Sequence, residues 1–80
     1  MNEKIYIYGV NAISEVLNNR SDQLIEVLLD NNASNNRILK LIDIIQKNSI
    51  NLRRVSTQEI EQITGTSKNQ GIAAAIKRPA

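Results

Sequence analysis

The chain alternates between two kinds of hydrophobic periodicity, and this alternation constrains its fold more than any other feature. Ile5 and Ile7 alternate with tyrosines, which is typical of a short strand. Residues 24–29 form a nearly continuous apolar run, which suits a strand buried on both faces. Residues 50–55 are predicted as another strand, and the small apolar residues 71–76 as a central one.

Helical periodicity fills the segments between these runs. Val10, Ile13 and Leu17 are spaced to share one face of a helix. Apolar residues recur at i, i+3, i+4 and i+7 over residues 38–45, which predicts the longest helix. Residues 56–59 form the capping box S-T-Q-E of a third, short helix. The predicted boundary residues are Ser34 or Asn35 as N-cap of the long helix and Gly65 as the stop of the short one.

Strands that alternate with helices indicate β-α-β crossovers. The fold class is therefore predicted to be α/β, a three-layer α/β/α sandwich with a mostly parallel, mixed four-stranded sheet. A chain of 80 residues has room for one small domain. We expect that domain to span residues 1–76 and residues 77–80, K-R-P-A, to begin a linker, because proline follows the last strand and no new pattern starts.

The composition excludes several kinds of site. The chain has no cysteine and no histidine, so thiol chemistry, the commonest general base and the commonest zinc ligand are missing. It also lacks the glycine-rich phosphate loops, the G-x-S-x-G elbow and the acidic calcium loop. We therefore predict neither a catalytic nor a metal site. No apolar run approaches the roughly 20 residues of a membrane span and no secretory signal begins the chain, so we expect a cytoplasmic protein with no membrane partner.

Binding to a polyanion is the more promising class of function, since the net charge is +2. Basic side chains fall in loops and at element ends, at Lys4, Arg20, Arg37, Lys68, Lys77 and Arg78. For any one of them, an ordinary solvated surface charge is the simpler interpretation. Tyr6 and Tyr8 are the only aromatic residues. A tyrosine beside a basic loop can stack on an unpaired base, although packing in the strand is its commoner role.

Two sequence blocks carry a resemblance to a known family. They are I-Y-G-V-N-A-I-S-E-V-L at residues 7–17 and N-Q-G-I-A-A-A-I at residues 69–76. The chain resembles the N-terminal substrate-binding domain of the SpoU (TrmH-type) RNA ribose 2′-O-methyltransferases, whose pattern opens with Y-G-x-[HN]-A/P-V-x-E-A-L and closes with H-Q-G-I-x-A. The spacing of the blocks and the order of elements also fit. Asn69 stands where the family usually has His, so no role that needs a titratable side chain is expected there.

The resemblance implies an L30e-like fold, shared with ribosomal proteins that bind kinked RNA through a G-x-N-E motif. Gly9 and Asn11 match that motif, whereas Ala12 replaces its glutamate, so the base-reading contact of that glutamate is missing. In the resembled fold the loop before the last strand lies beside the first helix, and Asn11 can contact RNA, cap its own helix, or do both. The predicted RNA-binding residues are Tyr8, Gly9, Asn11, Arg20, Arg37, Lys68, Asn69 and Gln70.

The function that the resemblance implies is substrate recognition for an S-adenosylmethionine-dependent rRNA or tRNA ribose 2′-O-methyltransferase. Ribosomal RNA is favoured over transfer RNA, and the 23S rRNA guanosine type is favoured among these enzymes. The resemblance also implies a following knotted catalytic domain, absent from these residues, that binds S-adenosylmethionine and forms a homodimer. The piece alone is compatible with a monomer. Two alternatives stay open: a stand-alone ribosomal-type RNA-binding protein, and a protein-interaction module.

Overall fold

The strands and helices alternate along the chain as the sequence predicts. In this computed structural model, residues 4–33 and 35–77 are described. A single 3₁₀ turn, Ser21–Gln23, precedes the second strand. The elements in chain order are β1 (Lys4–Tyr8), α1 (Val10–Asn19), β2 (Leu24–Asp30), α2 (Asn36–Lys47), β3 (Asn51–Val55), α3 (Thr57–Thr64) and β4 (Ile72–Lys77).

The four strands form one mixed sheet in the order β1-β4-β2-β3, which confirms the predicted α/β class. The expectation of mostly parallel pairing is corrected, because among residues 4–33 and 35–77 one pair of neighbouring strands, β2 and β3, is parallel and the other two pairs are antiparallel. Strand β4 lies between β1 and β2 and runs antiparallel to both. The reason is the path of α3, which follows β3 yet also contacts β1, β2 and β4. The chain thus stays at the edge of the sheet where β3 ends, and β4 must run the opposite way.

The helices cover both faces of the sheet, as predicted. Helices α1 and α2 pack on one face with Ile13, Ile38 and Ile45 fully buried. On the other face α3 inserts Ile60 against the sheet. The alanines of β4 are fully buried, which fits a central strand crossed by helices from both sides.

The ends of two helices match their sequence signals. The Asn35 side chain accepts a hydrogen bond from the Ile38 amide at 2.9 Å, so Asn35 is the N-cap of α2, while Ser34 lies outside the described residues. The Ser56 hydroxyl accepts from the Glu59 amide at 3.1 Å at the start of α3. That helix stops at Gly65, which has a left-handed φ of 74°.

The direction of the strands gathers the helix starts at one edge of the sheet. Because β1, β2 and β3 point the same way, α1, α2 and α3 all begin at the edge where these strands end. Strand β4 begins at this edge after the loop 65–71 and continues through Lys77, one residue into the predicted linker. Residues 78–80 lie outside the described part of the chain. We call this side the upper edge; ligands of α/β sheets commonly bind at such carboxyl ends.

Candidate functional site

The start of α1 is capped by a side chain from the far end of the chain. Helix α1 begins at Val10, with Gly9 in the N-cap position and no capping side chain of its own. The Gln70 Oε1 atom accepts a hydrogen bond from the Val10 amide at 2.8 Å. Asn11 is therefore the second residue of the helix and does not cap it, which leaves its side chain available for other contacts.

Gly9 brings strand and loop close together at this point. Its amide donates to the Ile72 carbonyl at 3.1 Å, and its φ is 91°, a value that favours glycine. A Cβ atom added there would lie 3.4 Å from Gln70 Oε1. That distance is an ordinary contact, so the positive φ, rather than a lack of space, is what favours glycine here.

Asn69 stabilises the loop 65–71 through hydrogen bonds of its buried side chain. It is 4% exposed, and its Nδ2 donates to the Thr66 carbonyl at 2.9 Å and to Thr64 Oγ1 at 3.3 Å. Its Oδ1 accepts from the Gly71 amide at 2.8 Å. These bonds hold Gln70 in a left-handed conformation with φ 62° and direct its side chain to α1. The structure thus places Asn69 as a residue that positions Gln70.

Arg37 joins the starts of the first two helices. Its Nη2 atom donates to Asn11 Oδ1 at 3.0 Å, and both side chains are exposed. Each residue is the second of its helix, so the N-termini of α1 and α2 lie side by side. The partial positive charges of two helix N-termini and one guanidinium therefore coincide, an arrangement that favours an anionic group such as phosphate.

A buried acid holds the start of α3 at the same edge. Asp30 is 7% exposed, and its Oδ1 accepts from Thr57 Oγ1 at 2.9 Å and from the Asn32 amide at 2.8 Å. The apolar run that predicts this strand ends at residue 29, whereas Asp30 is the last residue of β2. An aspartate directly after an apolar strand was the available signal, but its partner lies 27 residues away.

Most of the predicted RNA-binding residues meet at the upper edge. Arg20 does not, because it follows α1 at its opposite end, about 15 Å along the helix. Asn69 belongs to the same loop but lies beneath the surface. The predicted residues that lie at the edge are Tyr8, Gly9, Asn11, Arg37, Lys68 and Gln70.

The acidic side chains of the described residues are too scattered to form a metal site. Residues 4–33 and 35–77 contain no cluster of acidic side chains that could hold a metal. A depression on the outer face of α2, lined by residues that include Leu39 and Ile44, offers a cofactor one acid, Asp43, which already pairs with Lys47 at 3.0 Å. Over the same described ranges, every helix is too short or too polar to cross a membrane.

Comparison with known families identifies the type of domain. The profile described as RNA 2′-O ribose methyltransferase substrate binding matches residues 6–80. The chain belongs to this family. Membership in this substrate-binding family confirms the resemblance that the blocks at residues 7–17 and 69–76 carry, and it agrees with the mixed α/β sheet.

Relatives of this substrate-binding domain are bacterial enzymes named 23S rRNA (guanosine-2′-O-)-methyltransferase RlmB. The protein of Xanthomonas campestris pv. campestris is 33% identical over 69 residues, which cover 86% of this chain and 28% of the relative. The protein of Xylella fastidiosa strain 9a5c is 33% identical over 75 residues, which cover 92% of this chain and 30% of the relative. The protein of Nitrosomonas europaea is 30% identical over 78 residues, which cover 98% of this chain and 30% of the relative. The chain thus spans less than a third of the length of these relatives.

Proposed function

We propose that this chain recognises structured RNA, ribosomal RNA rather than transfer RNA, for a 23S rRNA guanosine 2′-O-methyltransferase. The observation that carries the proposal is the hydrogen bond from Arg37 to Asn11 at 3.0 Å, which unites two helix N-termini at the upper edge. Membership in the substrate-binding family supports RNA as the ligand, and the names of the relatives support 23S rRNA as its source.

The chemistry of the upper edge suits an irregular RNA backbone. Arg37 offers a planar donor that matches a phosphate, and the exposed amides of Asn11 and Gln70 carry both donors and acceptors. Lys68 adds a second exposed cation in the loop beside them. Ala12 introduces no negative charge at this position, and the nearby Asp30 is buried and hydrogen-bonded. An RNA phosphate can therefore approach without facing an exposed carboxylate at either position.

In this proposal recognition and catalysis belong to different parts of one enzyme. Residues 1–76 form the recognition domain and residues 77–80 lead to a catalytic domain that binds S-adenosylmethionine, methylates a ribose 2′-hydroxyl and forms the homodimer. This chain supplies no reacting group: its side chains bind and orient the RNA. The proposal includes a cytoplasmic location, because bacterial ribosomal RNA is in the cytoplasm.

The test is a binding competition with a single charge removed from the upper edge. Transcripts that tile 23S rRNA are titrated with the chain, with transfer RNA as competitor. We expect one transcript to bind in preference to transfer RNA, and Arg37→Gln to weaken that binding about three- to tenfold through loss of one phosphate contact.

Lys47→Gln is the matched control, because it removes the same charge from the opposite end of α2, where Lys47 pairs with Asp43. The Lys47→Gln variant should bind the preferred transcript with the affinity of the unaltered chain. Equal effects of the two substitutions would show that only overall charge matters, and equal affinity for transfer RNA and every transcript would refute ribosomal RNA as the substrate.

A further inference from the structure

Helix α3 covers the part of its sheet face near the upper edge and leaves charged and aromatic residues exposed beyond it. The helix packs on Leu28, Val55 and Ala73, which lie near the upper edge. The next residues along the strands on the same face are Tyr6, opposite Ala75, and beyond them Lys4, opposite Lys77. We call the surface formed by Lys4, Tyr6, Glu26 and Lys77 the open face; Ala75 belongs to the same row but is fully buried.

Two tyrosines project from β1 on this side of the sheet. Tyr6 is 40% exposed and Tyr8 is 43% exposed. Both share a face, since they lie two positions apart on one strand, about 7 Å from each other. Across the strand they meet Ala75 and Ala73, which are both fully buried. The tyrosine rings, rather than the buried alanines beside them, therefore form the exposed surface on which a flat ligand can stack.

Lys4 and Lys77 form a pair of like charges on the same side. They lie directly opposite each other on antiparallel strands, an arrangement that destabilises a sheet. Among the described residues neither ammonium group lies within 4 Å of a carboxylate. Glu26, the nearest acid on the open face by register, is engaged by Arg53 at 3.7 Å. An anion bound between the lysines would offset their repulsion.

Protection of a sheet edge explains only one of these lysines. Lys4 is on β1, an edge strand, where lysine commonly prevents pairing with another chain. Lys77 lies on β4 between two strands, paired with Lys4 and one residue past Ile76, which pairs with β2, so its charge protects at most the last residue of that strand. Two cations beside exposed aromatic rings are complementary to a nucleic acid strand, which presents phosphates and flat bases together.

We propose that the open face binds an unpaired segment of RNA, with a base stacked on Tyr6 and a phosphate held between Lys4 and Lys77. This inference rests on the proposed function and adds a second contact surface to the upper edge. Tyr8 lies one row nearer the upper edge than Tyr6 and is the link between the two surfaces. The RNA would run from a structured part at the upper edge to a single strand on the open face.

The intrinsic fluorescence of the chain tests this directly. The chain contains two tyrosines and no tryptophan, so its emission reports on Tyr6 and Tyr8 alone. An oligouridylate of about eight nucleotides is the probe, because it is single-stranded and stacks on aromatic residues without sequence preference. We expect it to quench the emission, and Tyr6→Thr, which keeps a strand-forming residue, to weaken its binding about tenfold.

Two further variants separate stacking from charge. Tyr6→Phe retains the ring and should bind the oligouridylate within about threefold of the unaltered chain. Lys4→Gln combined with Lys77→Gln should reduce the log–log dependence of affinity on salt by about 0.7 for the single phosphate that the lysines share. Lys47→Gln, on the outer end of α2, is the control and should leave both quantities unchanged.

The outcomes distinguish this inference from the proposed function. If ribosomal transcripts respond to Arg37→Gln while Tyr6→Thr binds oligouridylate as well as the unaltered chain, the open face is not a stacking site and the upper edge remains one. If oligouridylate binding needs Tyr6 but no transcript is preferred over transfer RNA, the open face stands and the ribosomal substrate does not. Emission that changes with protein concentration and not with RNA would show a second copy on this face and overturn the proposal.

Discussion

At the scale of single residues, the site depends on hydrogen bonds between positions that are distant in sequence. Gln70 caps α1 although 60 residues separate it from Val10. The resemblance predicts Gln70 beside the helix start, but the sequence offered Asn11 and not Gln70 as a cap for this helix. Local patterns identify Ser56 and Asn35 as caps because their partners lie three residues away. A cap supplied by another part of the chain has no such local pattern.

Replacement of Gln70 by leucine should reveal the value of this cap. Gln70→Leu keeps the size of the side chain and the left-handed backbone but removes the acceptor for the Val10 amide. We expect the free energy of unfolding to fall by about 1 kcal/mol in urea denaturation. Gln62→Leu on the exposed side of α3 is the control and should change it by less than about 0.5 kcal/mol. If Gln70→Leu and Gln62→Leu changed the free energy of unfolding equally, the hydrogen bond from Val10 to Gln70 would not contribute to stability.

The glycines at the two ends of the loop form a matched pair. A Cβ at Gly71 would lie 2.9 Å from the Ala33 Cβ, whereas at Gly65 it would meet nothing within 4 Å. Both have positive φ, so alanine costs about 1 kcal/mol of backbone strain at either position. We expect Gly71→Ala to destabilise the chain by at least about 1 kcal/mol more than Gly65→Ala does. Identical urea midpoints for the two variants would contradict the close contact.

At the scale of elements, periodicity predicted the strands and helices but not the direction of the last strand. The buried run of β2 and the alanine-rich β4 are central strands, as their apolar character indicates. The direction of β4 depends on the path of α3 across the sheet, which the capping box and the short length of this helix do not specify. The same path leaves the open face uncovered.

One side chain of α3 anchors it to the sheet. Ile60 is the residue of this helix that is fully buried, against Leu28, Val55 and Ala73. We expect Ile60→Ala to lower the free energy of unfolding by about 2–4 kcal/mol, because it leaves a cavity beneath the helix. Ile44→Ala on the outer face of α2, where the side chain is exposed, should cost less than about 1 kcal/mol. If Ile60→Ala lowers the free energy of unfolding only slightly in urea denaturation, α3 does not depend on this contact.

At the scale of the whole molecule, the placement of charge matters more than its sum. A net charge of +2 is modest, yet two helix N-termini, Arg37 and Lys68 lie at one edge of the sheet. The order of elements and the identity of the core follow from the sequence, because they depend on local periodicity. The hydrogen bond between Asn11 and Arg37 depends on how α1 and α2 pack against each other. Both residues were predicted from the sequence, but their contact was not.

RNA affinity should depend steeply on salt if these charges contact phosphates. For two to three phosphates we expect the affinity for the preferred ribosomal transcript to fall about tenfold or more between about 50 and 200 mM salt. Filter binding at several salt concentrations measures the slope. A slope near zero would mean that phosphates are not contacted and would leave only uncharged contacts to explain binding.

The most direct measurement of the central claim is a map of backbone amide NMR shifts on the chain as it binds its preferred 23S rRNA fragment. The upper edge as the binding site predicts the largest changes at Gly9, Asn11, Arg37 and Gln70, with residues at the distant end of α1, such as Asn18, unchanged. Changes confined to the outer face of α2, around Leu39 and Ile44, would contradict the assignment of RNA recognition to the upper edge.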